Sequence, residues 1–198
     1  MTTGIPVRHQ AAFLDRDGVI NIDHGYVHRW QDFHFAPGAV QAMRRLHEAG
    51  YALVVITNQS GIARGMYTEQ DFQELTRQMS QHLLAQGVPL AGVFHCPHHP
   101  KGTQAEYTVD CSCRKPAPGL ILQAIGQLGL EAARSLLIGD KLSDLEAARA
   151  AGVPKAYLVA GKVGEEDSST DERCRPDGRF ESLAHCVDTL LAQPGLNP

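Results

Sequence analysis

The sequence lacks a segment apolar enough to cross a membrane, and it lacks an excess of positive charge. No apolar stretch approaches the roughly 18 residues of a membrane span, and residues 1–10 contain no apolar core of the kind that a secretion signal needs. The 198 residues include 18 Lys and Arg against 22 Asp and Glu, a formal charge of −4. These absences predict a cytoplasmic protein with no nucleic-acid or membrane partner, in which any phosphate site is local.

Cysteine is scarce and unevenly distributed. Three of the five cysteines, Cys96, Cys111 and Cys113, lie in one short segment, whereas Cys174 and Cys186 stand apart near the end. A cluster of this kind favours a metal site over disulfide bonds. The sequence assigns no role to the two distant cysteines.

The loop at about 96–113 contains two close pairs of metal-ligand side chains. Three thiolates and one imidazole form a closed tetrahedral set that suits structural Zn²⁺ and leaves no open position for catalysis. The predicted zinc ligands are Cys96, His98, Cys111 and Cys113. His95 and His99 are adjacent alternatives to His98, and cysteines without a metal are the simpler alternative for the group.

Apolar runs without polar alternation recur along the chain and are typical of strands buried on both faces. They occupy residues 11–15, 51–57, 91–95, 135–139 and 155–160. Helical patterns occupy residues 37–49, 69–86, 118–128 and 144–151, with a last helix near 180–192. The alternation predicts an α/β fold with one doubly wound, Rossmann-like parallel sheet and helices on both faces. We expect a single domain over residues 1–198, with a flexible connection at about 161–178.

Two carboxylates stand two residues apart directly after the first apolar run. Residues 15–18 read Asp-Arg-Asp-Gly, and ligands of open parallel sheets bind outside the carboxyl ends of the strands. Taken alone, this sequence is also an ordinary turn. The topology places Thr57 and Asp140 at the ends of two other strands, so we expect both residues to converge with Asp15 on one crevice.

The sequence contains small polar groups and basic residues that can bind a phosphate group. Residues 57–61, Thr-Asn-Gln-Ser-Gly, present hydroxyl, amide and backbone N–H groups after the second strand. Lys115, before the third helix, would neutralise phosphoryl oxygens. Asp144 brings a third acid to the edge where Asp15 and Asp140 lie, and acids sharing a small space repel unless a cation lies among them. Oxygen ligands beside a phosphate favour Mg²⁺.

These motifs occur in the order found in the haloacid dehalogenase (HAD) superfamily of phosphatases, which the chain resembles over residues 11–144. The resemblance rests on Asp-x-Asp-Gly, Thr-Asn, the lysine before a helix and Gly-Asp-x-x-x-Asp. It implies that Asp15 is a nucleophile that forms an aspartyl-phosphate, and that Asp17 is the general acid and base. It implies that Thr57 and Lys115 hold the transferring oxygens. The implied Mg²⁺ ligands are Asp15, Asp140 and, through its carbonyl, Asp17.

Longer stretches are similar to one family of that superfamily, the heptose-1,7-bisphosphate phosphatases, over nearly the whole chain. They are residues 13–18, 23–27 and 57–65, and the sequences CPHHP and CRKP. The resemblance implies a small sugar bisphosphate as substrate, in its β-anomer, whose 7-phosphate is removed on the way to ADP-heptose and the lipopolysaccharide core. The implied substrate-binding residues are Asp23, His24, Gly25, Tyr26, Thr57, Asn58, Gln59, Ser60, Arg114, Lys115 and Lys141.

Other interpretations account for parts of the same pattern. A histidinol-phosphate phosphatase shares the nucleophile motif and a comparable zinc loop, but the loop at 23–26 argues against it. A nucleic-acid phosphatase would need a basic surface that this acidic chain lacks. A zinc module that only binds a partner would have no need of Asp15, Asp17 and Lys115 together. With no large cap domain evident, we expect a monomer.

Overall fold

Six parallel strands form one sheet in the computed structural model, which describes residues 9–159 and 175–192. The strands are β1 (Ala11–Leu14), β2 (Ala52–Asn58), β3 (Leu90–Cys96), β4 (Leu136–Gly139), β5 (Lys155–Val159) and β6 (Gly178–Phe180). Their order in the sheet is β3-β2-β1-β4-β5-β6, and every pair is parallel. The strand order reverses between β1 and β4, the point where open α/β sheets bind ligands. The predicted doubly wound parallel sheet is confirmed.

Among the described residues, five α-helices and three short 3₁₀ turns lie between strands, and a sixth α-helix follows β6. The helices are α1 (Ala39–Glu48), α2 (Ser60–Ala63), α3 (Glu69–Ala85), α4 (Gly119–Leu128), α5 (Leu142–Ala150) and α6 (Leu183–Ala192). The 3₁₀ turns are Trp30–Asp32, Ala105–Tyr107 and Ala132–Arg134. None of the helices in the described part of the chain has the length and apolarity to span a membrane. All six strands of these residues belong to the one sheet.

The core is divided by the sheet into two apolar layers, and β1 contributes to both. Ala12 and Leu14 pack in the layer that α1, α3 and α6 cover. Ala11 and Phe13 pack in the layer that α4 and α5 cover. Alternate residues of a strand point to opposite faces, and all four are buried, which is why the run contains no polar residue. The prediction of helices on both faces is confirmed.

Three local features differ from the sequence-based expectation. The short helix α2 and the strand β6 were not predicted, because four and three residues are too few to show a hydrophobic period. Helix α5 begins at Leu142, two residues earlier than expected, because the Asp144 carboxylate accepts hydrogen bonds from the backbone N–H groups of Asp140 and Lys141. Of the predicted connection, residues 161–174 lie outside the described residues, whereas Gly178 pairs in β6.

Candidate active site

A buried ionic cluster lies at the carboxyl edge of the sheet, beside the point where the strand order reverses. Lys115 Nζ lies 3.0 Å from Asp15 Oδ1 and 2.6 Å from Asp144 Oδ1, and it donates a hydrogen bond to the Ile56 carbonyl at 2.8 Å. An ammonium group has three protons, and these three acceptors account for all of them. The Lys115 side chain is only 2% exposed. Burial alone lowers the pKa of Lys115, but Asp144 and Asp15 outweigh burial and raise it.

Three carboxylates at this edge form a group that fits a divalent cation. Oxygens of Asp15, Asp140 and Asp144 lie within 4.8 Å of one another. Burial, followed by the charge of Asp15, raises the pKa of Asp140 to about 7. Burial also raises the pKa of Asp15, although Lys115 opposes it. Both shifts reflect the cost of keeping several anions in one buried space, and a divalent cation among them offsets that cost.

The hydrogen bonds indicate which acids face the cation position. Asp144 is fully engaged, because Oδ1 contacts Lys115 and Oδ2 accepts from two backbone N–H groups. Asp140 differs: its Oδ1 is buried and has no hydrogen-bond partner among the residues that the structure describes. Its Oδ2 lies 3.1 Å from Lys141 Nζ. The cation therefore has one unpaired carboxylate oxygen available at Asp140 and a second acid at Asp15.

Gly18 brings the backbone after Asp17 against Asp140. Its φ of +87° lies in the left-handed region, and a Cβ at this position would lie 2.6 Å from Asp140 Oδ2. No side chain therefore fits between this turn and the acid. This close approach agrees with the predicted use of the Asp17 carbonyl as a metal ligand, which stays a prediction.

The Asp17 carboxylate is held by a network of side chains beside the ionic cluster. Arg16 Nη2 donates to it at 2.9 Å, Gln59 Nε2 at 3.0 Å and Asn21 Nδ2 at 3.1 Å. Gln59 Nε2 also lies 2.8 Å from Thr57 Oγ1. The carboxylate is 18% exposed, which gives it the partly shielded access that a proton-transfer group needs. The network joins the predicted acid and base to the predicted phosphoryl-binding threonine.

Two of the predicted substrate-binding amides contact the protein itself. Gln59 is buried, and its Oε1 accepts a hydrogen bond from Tyr67 Oη at 2.5 Å. Burial raises the pKa of Tyr67 well above its usual range, so that its hydroxyl is a neutral donor. Asn58 exchanges two hydrogen bonds with the backbone of Lys115, at 3.0 and 3.1 Å. These amides position the predicted catalytic groups, and their direct contact with substrate stays a prediction, as does that of Ser60 at the start of α2.

Arg16 is the residue at this site that the sequence interpretation missed. The side chain is 1% exposed, forks onto Asp17 through Nε and Nη2, and donates from Nη2 to the Val27 carbonyl at 2.8 Å. Its guanidinium also lies 5.7 Å from the centre of the Phe72 ring. The available signal was an arginine between two acids at the end of an apolar strand. Arg16 thus ties the Asp17 carboxylate to the loop that precedes Trp30.

Replacing Arg16 with Lys tests this positioning. A lysine keeps the charge but loses the planar fork, so we expect kcat to fall about 10- to 100-fold, the effect of one or two charged hydrogen bonds. KM should change much less. Arg29→Lys, an exposed arginine of the same loop, is the matched control and should retain full activity. Steady-state kinetics of both variants make the comparison, and an unchanged kcat in Arg16→Lys would contradict the assigned role.

The predicted substrate loop at 23–26 lies at the surface. Asp23 Oδ1 accepts a hydrogen bond from the Gly25 N–H at 2.8 Å, and both Gly25 and Tyr26 have positive φ, +82° and +54°. His28 Nδ1 lies 2.8 Å from the Tyr26 carbonyl. Tyr26 is 43% exposed, as a side chain that meets a ligand from solvent needs to be. A non-glycine residue in the left-handed region is uncommon and is typical of binding loops.

The four predicted metal ligands of the 96–113 loop converge on one point. The ligand atoms are the Sγ atoms of Cys96, Cys111 and Cys113 and Nδ1 of His98, all within 4.8 Å of one another. The sulfur atoms are 3.2 to 3.6 Å apart, and His98 Nδ1 lies 3.3 Å from Cys113 Sγ. Sulfur ligands of a tetrahedral zinc ion lie about 3.7 Å apart. The group fits one metal ion, separate from the carboxylates.

Two basic residues of the site, Arg114 and Lys115, directly follow the 96–113 loop. Arg114 directly follows Cys113, and its Nη1 donates to the His98 carbonyl at 3.3 Å. Lys115 comes next and reaches the ionic cluster. Cys113 thus lies at the start of the segment that presents both cations, so a metal held by this loop would support the site through the backbone.

Comparison with known proteins agrees with this geometry. A HAD-hydrolase-like family model matches residues 112–186. The D-glycero-beta-D-manno-heptose-1,7-bisphosphate 7-phosphatase of Yersinia pestis is 50% identical over 193 residues, which cover 98% of this chain and 99% of the relative. The chain belongs to this family. The enzyme of the same name from Escherichia coli K12 is 52% identical over 149 residues, covering 75% of this chain and 78% of the relative.

A solved structure of the same kind has the same fold. The D,D-heptose 1,7-bisphosphate phosphatase of B. bronchiseptica, crystallised with magnesium and phosphate, is 31% identical with a TM-score of 0.73. The alignment covers 92% of this chain and 98% of that one. The resemblance to the HAD superfamily and to its heptose-bisphosphate phosphatases, first seen in the sequence motifs, is confirmed.

Proposed function

We propose that the protein is a Mg²⁺-dependent phosphatase that removes the 7-phosphate of D-glycero-D-manno-heptose 1,7-bisphosphate, in its β-anomer, to give heptose 1-phosphate. Such a product serves the synthesis of ADP-heptose for the lipopolysaccharide core. The observation that carries the proposal is the buried Lys115, 3.0 Å from Asp15, whose carboxylate lies within 4.8 Å of Asp140, the acid with an unpaired oxygen. Family membership, at 50% identity over nearly all of both chains, supports the substrate.

In the proposed reaction, the phosphoryl group passes through a covalent bond to Asp15. Oδ1 of Asp15 accepts from the Arg16 N–H at 2.7 Å and contacts Lys115, so we assign Oδ2 as the attacking oxygen. The P–O bond to the sugar breaks while Asp17 gives a proton to the departing sugar oxygen. Asp17 then takes a proton from a water molecule, which attacks phosphorus and releases inorganic phosphate and free Asp15. In this proposal Lys115 neutralises charge on the transferring oxygens from its place beside Asp15, and the Thr57 hydroxyl binds them.

The cluster of carboxylates at the sheet edge would hold Mg²⁺ through Asp15, Asp140 and the Asp17 carbonyl. When bound, Mg²⁺ neutralises the charge that gathers on the phosphoryl oxygens. The chain's own part is to supply two acids with raised pKa values and the turn at Gly18 that brings the backbone to them. Asp144 keeps Lys115 in place beside these ligands.

The metal of the 96–113 loop is, in this proposal, Zn²⁺. Three thiolates and one imidazole are soft ligands that favour Zn²⁺ over Mg²⁺ or Ca²⁺, and a closed set of four suits a structural ion.

Cys111→Ser should lose zinc and much of the activity together. Removing one of four ligands weakens a structural site strongly, and the loop that carries Arg114 and Lys115 would then lose its anchor. Zinc content by elemental analysis and steady-state phosphate release check both effects. Cys186→Ala, which changes a buried cysteine in the core, is the control and should keep its zinc. Unchanged zinc and activity in Cys111→Ser would contradict the assignment.

Selection of the sugar and its second phosphate is proposed for the loop Asp23–Tyr26 and Arg114, with Lys141 supporting the site. Arg114 offers a planar fork that suits a phosphate that is bound but not cleaved. The Lys141 side chain is 56% exposed and reaches Asp140, so it lies at the mouth of the buried cluster. A cytoplasmic monomer that binds neither nucleic acid nor membranes is part of the same proposal.

The competing substrate is histidinol phosphate, a monophosphate. We expect kcat/KM with Mg²⁺ to be highest for the β-anomer of heptose 1,7-bisphosphate, lower for the α-anomer and at least about 100-fold lower for histidinol phosphate, which lacks the second phosphate. Steady-state kinetics on the three compounds test this. Faster turnover of histidinol phosphate would overturn the substrate assignment while leaving the phosphatase chemistry intact.

A further inference from the structure

His99 lies between two hydrogen-bond donors. The backbone N–H of Lys101 donates to its Nδ1 at 3.0 Å, and its Nε2 lies 3.1 Å from Arg64 Nη2. A neutral imidazole has one acceptor nitrogen, and a guanidinium has none. Because Nδ1 is the acceptor, Nε2 carries the proton, and its N–H faces an N–H of Arg64. Protonation of the ring would add a further donor, so the conflict persists in either protonation state.

The charges around His99 are of one sign. The charged groups that act on the ring are the cations Arg114, Arg64 and Lys101. Like charges placed this close destabilise one another. A bound anion would remove both conflicts. Its oxygens would accept hydrogen bonds from both side chains, and its negative charge would offset the clustered cations.

Arg64 is held against the loop that carries His99. The carbonyl of Ala63 accepts backbone hydrogen bonds from Thr103 at 2.7 Å and Gln104 at 2.9 Å. A Cβ at Gly65 would lie 2.7 Å from the Gln104 side chain, and Gly65 has a φ of +68°. The backbone on both sides of Arg64 is thus packed on this loop. The packing of these two segments therefore places Arg64 next to His99.

This cationic group adjoins the proposed active site. The Ala63 N–H donates to the Pro97 carbonyl at 3.2 Å, and Arg114 donates to the carbonyl of His98, the residue before His99. Arg114 immediately precedes Lys115, which contacts Asp15. Arg114 and Lys115 therefore connect the cationic group to the nucleophile through two consecutive residues.

We propose that Arg64 and His99 complete, with Arg114, a subsite for the phosphate that is not transferred. One oxygen of that phosphate accepts hydrogen bonds from Arg64 Nη2 and His99 Nε2, which turns two facing donors into two partners of one acceptor. The proposal rests on the proposed function, because only a bisphosphate has such a second group. It assigns a specificity-determining role to two residues outside the nucleophile motif and the loop at 23–26.

Arg64→Gln tests the subsite with two substrates that differ only in the second phosphate. We expect kcat/KM for heptose 1,7-bisphosphate to fall about 10- to 100-fold, mainly through KM, because a charged hydrogen bond is lost. For heptose 7-phosphate the loss should be several-fold smaller. Arg64→Lys should lie between Arg64→Gln and wild type on the bisphosphate. Competitive inhibition by heptose 1-phosphate should weaken in parallel with the KM effect.

The control is Arg134→Gln, which removes the same charge from an exposed arginine in the turn before β4, at the opposite edge of the sheet. It should leave both substrates unaffected. Equal losses on the two substrates in Arg64→Gln, or no loss on the bisphosphate, would overturn the subsite. If the wild-type enzyme itself does not prefer the bisphosphate over its 7-monophosphate, the proposed substrate is wrong and the subsite falls with it.

Discussion

Asp15→Asn should reduce phosphate release by at least about four orders of magnitude, the scale on which enzymes lose activity without their nucleophile. An amide has the shape of the carboxylate but neither attacks phosphorus nor carries the charge that a cation requires. The fold should survive, because Lys115 keeps its 2.6 Å contact with Asp144 and one charge leaves a crowded group of acids. Steady-state phosphate release and thermal unfolding measure the two effects.

The control for Asp15→Asn is Asp32→Asn, the same change at an exposed acid of the 3₁₀ turn Trp30–Asp32. It should leave both activity and stability close to wild type. Substantial Mg²⁺-dependent phosphate release by Asp15→Asn would contradict covalent catalysis by this residue. Loss of activity accompanied by unfolding would contradict our account of the ionic cluster.

Lys115→Met should lose both activity and stability. Two buried carboxylates would lose their shared partner, and removing one member of a buried ionic group costs about 3–5 kcal/mol. Asp15 would also meet the incoming phosphate without a neutralising cation. We expect kcat/KM to fall at least about 1,000-fold, and chemical denaturation to show the lower free energy of unfolding.

Adding Asp144→Asn to Lys115→Met separates the two roles of the lysine. The double variant carries one buried charge fewer, so part of the lost stability should return, while the activity should not. An asparagine oxygen at 144 can still accept from the backbone N–H groups at the start of α5. Recovery of activity together with stability would show that Lys115 acts only in folding.

The sheet and the chemistry at its edge were predictable for the same reason. Strands buried on both faces must be apolar throughout, so the run 11–14 and its successors stand out in the sequence, and the polar residues that follow them must lie at one edge. The convergence of Asp15, Thr57 and Asp140 follows from that topology. The zinc-type cluster was predictable because its ligands are rare residues in two close pairs.

The supporting contacts were not predictable, because side-chain direction decides them. Arg16 in a turn between two acids suggests a solvated residue, yet it is buried and forks onto Asp17. Gln59 was predicted to bind substrate, yet its amide forms hydrogen bonds with Asp17, Thr57 and Tyr67. The contact between Arg64 and His99 depends on how two loops pack, and the hydrophobic periodicity of the sequence does not predict loop packing. Sequence spacing thus predicts which groups share an edge, and packing determines which of them contact each other.

Covalent catalysis by Asp15 is tested most directly by following a labelled phosphoryl group. A rapid-quench, single-turnover reaction would use heptose 1,7-bisphosphate with radioactive phosphorus in the 7-phosphate only, in the presence of Mg²⁺. Attack by Asp15 predicts that the label appears transiently on the protein at Asp15 and then as inorganic phosphate, leaving unlabelled heptose 1-phosphate. Label that stays on the sugar, or that reaches inorganic phosphate without ever being bound to the protein, would contradict it.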